Sequence, residues 1–402
     1  MSKGIFAGMR VLDAASWIAA PAAATIMADF GAEVIKIEPP GAGDGYRNLS
    51  FQPGLPQGDT DYCWTVDNRN KRSLALDLKD RDAQKILHGL VAGADVFITN
   101  YPPAVRRRLG IAFDQLHHLN ARLVYASLTA YGEHGEEAGK PGFDATAWWA
   151  RSGLMHEVRP DAASLPARSM PGMGDHPTAL AVYGAIVTAL FRRERTGKGG
   201  YVGTSLLASG AWAGACFIQA GLEGARVLPR PPRTEAFNPL SNHYRCRDDR
   251  WLLLSIGVVQ DRKLWPRFTE LIGTPELGQD PRFADRAQRS KHARALVALL
   301  DEVFVKRDAE DWMRLLAKEG LVAAVAARAG DALHDRQMRE NGVIVPLGAD
   351  GCVVSSPIWI ADEEKAAATP APTVGEHSDA ILREQGLTDV EIAELRARGT
   401  VG

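Results

Sequence analysis

The chain has 402 residues, 46% of them hydrophobic and 24% charged, with a formal net charge of −2. This is the make-up of a folded globular protein with room for more than one domain, and its near-neutral balance gives no global electrostatic argument for binding nucleic acid or a membrane surface. The four cysteines, Cys63, Cys216, Cys246 and Cys352, stand far apart with no metal-type or redox-type pair, which fits a reducing compartment and no disulfide framework.

In chain order, Met1-Ser2-Lys3-Gly4-Ile5-Phe6 lacks the apolar core of a signal peptide, so a cytoplasmic protein is expected. Residues 10–13 read as a strand, 21–30 as an alanine-rich helix ended by Gly31, and 33–38 as a second strand. Gly41-Ala42-Gly43-Asp44-Gly45 reads as a surface loop. A strand at 73–78, a helix at 81–94, a strand at 95–99, a helical stretch to Leu109 and a strand at 123–128 follow. Strands alternating with helices predict an α/β fold, a doubly wound, Rossmann-like sheet. The run 177–194 is apolar nearly all round and predicts a buried helix, as does 205–222, which is rich in small residues and too interrupted for a membrane span. The proline-rich segment near 223–245 marks a crossing. A strand at 251–255 and helices to about 322 then predict a smaller inserted α+β domain. The expected division is 1–222 as the large domain, 223–322 as the small one, and 323–402 as a return to the large one. Residues 366–372 read as an extended connection and 389–398 as a helix.

Common site motifs are missing. The turn after Asp13 has no glycine fingerprint for a dinucleotide, Gly197-Lys198 follows a helix instead of opening one, and there is no Gly-x-Ser-x-Gly elbow. His117-His118 has no metal-ligand spacing, and no metal is expected. What stands out is Pro171-Gly172-Met173-Gly174-Asp175, which runs into the helix at 177–194. Glycines let a ligand approach the backbone, and helix-end amides favour an ionised carboxylate, so Asp175 is a candidate nucleophile. Asp is also a favoured helix cap, and the loop by itself leaves both roles open.

Several stretches together resemble family III of the CoA-transferases. They are Gly8-Met9-Arg10-Val11-Leu12-Asp13, the block from Gly31 to Pro40, Asn70-Lys71-Arg72-Ser73 and its continuation to Lys79, Gly142-Phe143-Asp144, Gly174-Asp175 and Gly375-Glu376-His377. The resemblance implies a large α/β domain with a small inserted domain, in an interlocked homodimer. It implies coenzyme A or acyl-CoA as substrate, with no resident cofactor, nucleic acid or membrane partner. The family nucleophile falls on Asp175. Positions around CoA fall on Trp17, Ile18, Ala19, Leu76, Lys79, Asn100, Tyr101 and Arg108, with Lys79 and Arg108 placed to neutralise phosphates. Phe143, Asp144, Gly174 and Lys140 are implied substrate-pocket residues, and Trp148 and Trp149 belong either to the pocket wall or to the core. Some members close the site with a Gly-rich loop in the small domain; here the comparable region reads Phe237-Asn238-Pro239-Leu240-Ser241.

The implied reaction moves CoA from an acyl-CoA, succinyl-CoA being the first guess, to a small carboxylic acid through an aspartyl anhydride and an aspartyl-CoA thioester. Two other readings stand beside it. Related α-methylacyl-CoA racemases carry a histidine where this chain has Phe143, which cannot exchange a proton. A non-catalytic acyl-CoA-binding protein would have no need for the carboxylate of Asp175.

Overall fold

A computed structural model describes residues 4–257, 261–349 and 351–402, so the reading of Met1–Lys3 lies outside the described residues. The chain divides into two compact units, one of Met1–Glu157, Arg168–Leu222 and Arg336–Gly402, the other of Val158–Ala167 and Glu223–Asp335.

The first unit is built on six strands: β1 (Arg10–Asp13), β2 (Glu33–Glu38), β3 (Lys71–Ala75), β4 (Val96–Thr99), β5 (Val124–Thr129) and β6 (Gly200–Ser205). They pair in the order β3-β2-β1-β4-β5-β6, and every pairing is parallel. Alternation along each strand sends residues to two faces. Val11, Val34, Val96 and Val124 meet helices α1 (Ala19–Asp29) and α5 (Asp175–Thr196) in one core. Leu12, Ile35, Phe97 and Tyr125 form the other core with α3 (Arg81–Ala92) and two helices near the C-terminus, Ser378–Glu384 and Asp389–Ala397. Helix α2 (Tyr62–Asn68) precedes β3 and α4 (Pro103–Arg108) follows β4. The far edge of the sheet is completed from a distance: Leu76 bridges Val401, and Gly402 N–H donates to Ala75 O at 3.1 Å. The strand order reverses between β1 and β4, whose following turns part and leave a crevice at their C-terminal ends.

Three expectations change. Residues 205–222 are not one buried helix. Ser205 ends β6 and caps α6 (Leu206–Ala213), its Oγ accepting from Ala208 N at 3.0 Å, and Gly214 separates α7 (Ala215–Leu222). Trp212 is 83% exposed and Leu222 76%. β6 itself is hidden in the sequence because its two glycines and half-exposed pattern match no strand template. Helix α5 is buried on one face only, through Ala179, Val182, Ile186 and Leu190, while Phe191 is exposed. The glycine-rich segment 41–45 is no mere surface loop, because Asp44 within it is buried.

The second unit has a three-stranded antiparallel sheet of β7 (His243–Arg245), β8 (Trp251–Leu254) and β9 (Ala323–Val325), packed with helices around Tyr244, Phe304 and Trp312. Its boundary falls after Asp335, not at 322, since β9 supplies the third strand, and residues 158–167 also belong to it.

Candidate active site

The turn after β1 is fixed by side chains from two other turns. Ser16 N–H donates to Asn100 Oδ1 at 2.9 Å, and Asn100 Nδ2 returns a bond to Ser16 O at 2.6 Å. Asp44 Oδ1 accepts from Ser16 Oγ at 2.6 Å and from Trp17 N–H at 3.1 Å. These bonds hold Trp17 in the left-handed region at φ 67°, a costly conformation for a bulky residue and one that stands in place of the missing glycines. Lys36, fully buried in β2, pairs with Asp44 at 2.6 Å and donates to Ala15 O at 2.6 Å. Burial by itself pulls its ammonium down, but Asp13, Asp44 and Glu38 outweigh that and hold it above the usual lysine range. Burial likewise pushes Asp44 up, and Lys36 reverses it, leaving the carboxyl below its ordinary value. A lysine between Ile35 and Ile37 in a strand covered on both faces is the sequence signal that a buried carboxylate had to exist.

Asp175 is the first helical residue of α5, and Gly174 is the cap position. Among the described residues its carboxylate accepts no hydrogen bond, so the capping alternative is not what the side chain does. The loop before it is held twice. Asp144 Oδ2 accepts from Gly174 N–H at 3.1 Å, and His176 Nδ1 lies 3.0 Å from Gly172 O. Only glycine fits at 174, since a Cβ there would come within 2.6 Å of the Trp148 ring. Trp148 and Trp149 stack and are buried, which makes them core. Burial, then Asp144, push the Asp175 carboxyl up to about 7; His176 opposes this and Asp67 adds to it. Burial beside a second carboxylate thus opposes the ionised form that helix-end amides favour.

A cavity of about 470 Å³ opens at the crevice between the β1 and β4 turns. Asp175 and Asp144 line it, and so do Trp17, Ile18 and Ala19 of the first turn. Asn100 and Tyr101 line it from the β4 turn, and Lys140 and Phe143 from the segment after β5. Trp17 and Phe143 meet edge to face at 5.4 Å. Lys140 is paired with Glu137 at 2.6 Å. Gly174 sits behind the wall. Leu76, Lys79 and Arg108 are not brought to the cavity: Leu76 is buried at the bridge to Val401, and Lys79 and Arg108 are exposed. Sequence reasoning missed Asp44, Met170 and Arg168, the last two lining the same cavity. It also missed Asp67, whose Oδ1 lies 3.0 Å from His176 Nε2 and whose Oδ2 accepts from Tyr46 OH at 2.8 Å.

A sequence model described as CoA-transferase family III matches residues 6–378. The (R)-2-hydroxy-4-methylpentanoate CoA-transferase of Clostridioides difficile is 31% identical over 394 residues, covering 97% of both chains. The cinnamoyl-CoA:phenyllactate CoA-transferase of Clostridium sporogenes is 30% identical over 402 residues, covering 98% of this chain and 96% of its own. Among solved structures, a CAIB/BAIF family protein from Brucella suis superposes with a TM-score of 0.85 at 26% identity, covering 95% of this chain and 99% of the other.

Proposed function

Because the chain belongs to family III of the CoA-transferases and is itself a CoA-transferase acting on acyl-CoA, we propose that Asp175 carries the acyl and CoA groups between donor and acceptor acids. The observation that carries this reading is a carboxyl with no hydrogen-bond partner among the described residues, in a cavity wall, pushed up to about 7. It is ionised in a large fraction at neutral pH, and a basic carboxylate is a better nucleophile than one held at the ordinary value.

The Asp175 oxygen attacks the thioester carbonyl carbon; the C–S bond breaks and CoA thiolate leaves with its electron pair, giving a mixed anhydride. The thiolate then attacks Asp175 Cγ, the anhydride C–O bond breaks, and the donor leaves as a carboxylate. The acceptor carboxylate attacks the aspartyl-CoA thioester and expels thiolate, which finally attacks the acceptor's acyl carbon and frees Asp175. No proton is gained or lost overall, and acyl activation is kept throughout. Trp17, Phe143, Ile18 and Leu206 give the cavity an apolar wall suited to branched or aromatic acyl chains, whereas a succinyl carboxylate would turn to Arg168 or Lys140. The racemase alternative loses support, because Phe143 offers no base and both ring nitrogens of His176 are engaged.

The test is mass spectrometry after incubation with succinyl-CoA and with cinnamoyl-CoA, alongside Asp175→Ala. A CoA-sized adduct on the wild-type protein, absent from the variant together with turnover, is the expected result. Exchange of an α-proton in a 2-methylacyl-CoA with no adduct would overturn it. The interlocked homodimer is part of the same proposal. Trp212, Leu222 and Trp359, each at least three-quarters exposed in the isolated chain, are apolar surface of the kind that a second copy covers.

A further inference from the structure

We propose that Asp67 and His176 are positioning residues for Asp175: Asp67 locks the His176 ring with a proton on each nitrogen, and that cation both clamps the 171–175 loop and stands beside the Asp175 carboxylate. The inference rests on the reading of Asp175 as the nucleophile.

The hydrogen bonds dictate the charge. Gly172 O, 3.0 Å from Nδ1, can only accept, so Nδ1 must carry a hydrogen. Asp67 Oδ1, 3.0 Å from Nε2, belongs to a buried carboxylate that already accepts from Tyr46 OH at its other oxygen. A neutral imidazole has one N–H and would turn a lone pair towards one of these acceptors, whereas the imidazolium satisfies both. The ring is half exposed, with 51% of its side-chain surface open; the burial it does have works against the charge, and the bonds to Asp67 and Gly172 outweigh it. Gly172 lies at φ 75°, and a Cβ there would sit 3.1 Å from the ring, so the loop is shaped to rest on it. Asp67 itself is anchored at the end of α2, its carbonyl accepting from Thr25 Oγ1.

The charged neighbours give the sign. His176 faces Asp67 and Asp175, and its ring is raised to about 9, first by the bond to Asp67. Asp175 lies in the electrostatic field of Asp144, His176 and Asp67; Asp67 in turn lies in that of Lys71 and accepts from Tyr46 OH. Asp67 acting directly works against ionisation of Asp175, but through His176 it works for it, and the effect of His176 is the larger. The two residues stand 109 apart in sequence, so no local motif announces the pair.

Carbon-labelled histidine NMR on the wild-type protein tests the lock, with the His176 signal identified by its loss in His176→Gln. The expected titration midpoint is near 9, falling towards the ordinary histidine value of about 6.5 in Asp67→Asn. A wild-type midpoint at that ordinary value overturns the proposal. The pH profile of kcat/KM tests the consequence. In His176→Gln the acidic limb should move up by about one unit, a roughly tenfold loss on that limb that closes at high pH. An equal loss at every pH marks a structural role alone and overturns the electrostatic one. If wild-type protein forms no aspartyl adduct, the nucleophile reading fails, while the NMR midpoint still decides the lock.

Discussion

Asp175 occupies a helix start, where amide dipoles favour a carboxylate, yet its carboxyl is pushed up to about 7 by burial and by Asp144. The folded chain therefore binds this proton more tightly than the unfolded one, whose carboxyl titrates near 3.8. Below that value the group has no effect on stability. As pH rises from there to about 7 the folded state progressively loses stability, and above about 7 the loss is complete. Asp175→Asn should thus melt a few degrees higher than wild type at pH 8, with the gap closing towards pH 4; equal melting at both pH values would contradict the raised carboxyl. Asp175 was legible in the sequence because two glycines and a long apolar helix frame it. Asp67 was not, because a lone Asp in a short helix carries no sign of the distant histidine it meets.

At the scale of elements, the β1 turn shows what replaces a glycine fingerprint. Trp17 is held left-handed by Asp44 and Asn100, while Lys36 keeps Asp44 charged. Glycine reaches this conformation freely and alanine does not, so Trp17→Gly should be more stable than Trp17→Ala by about 1 kcal/mol in urea melts. Equal stabilities would mean that the turn relaxes once the ring is gone. The central strands were readable because parallel strands covered on both faces are near-continuous apolar runs. β6 and the break at Gly214 were not, since edge position and glycine content blur both periods. Leu76, Lys79 and Arg108, taken from family resemblance, stand outside the cavity that the other predicted residues share.

For the molecule as a whole, the exposed apolar residues make a prediction about mass. Light scattering behind size exclusion should give twice the 43.5 kDa of one chain, with no monomer on dilution to nanomolar concentration. A monomer at 43.5 kDa would remove the homodimer from the proposal. The two-unit organisation was legible as a change of texture near residue 223, but its exit was misjudged because a three-residue strand at the end of a helical stretch leaves little pattern.

The bridge from Leu76 to Val401 has a consequence in time. β3 is made long before the segment that completes its edge, which comes more than three hundred residues later. At about 5–20 residues per second, the sheet waits tens of seconds on the ribosome with that flank uncovered, while nearly all of the inserted unit, residues 223–335, has already emerged and can fold. Chaperone dependence during synthesis should therefore belong to the α/β unit, and premature termination before the last helices should leave a soluble inserted unit attached to an unfinished sheet.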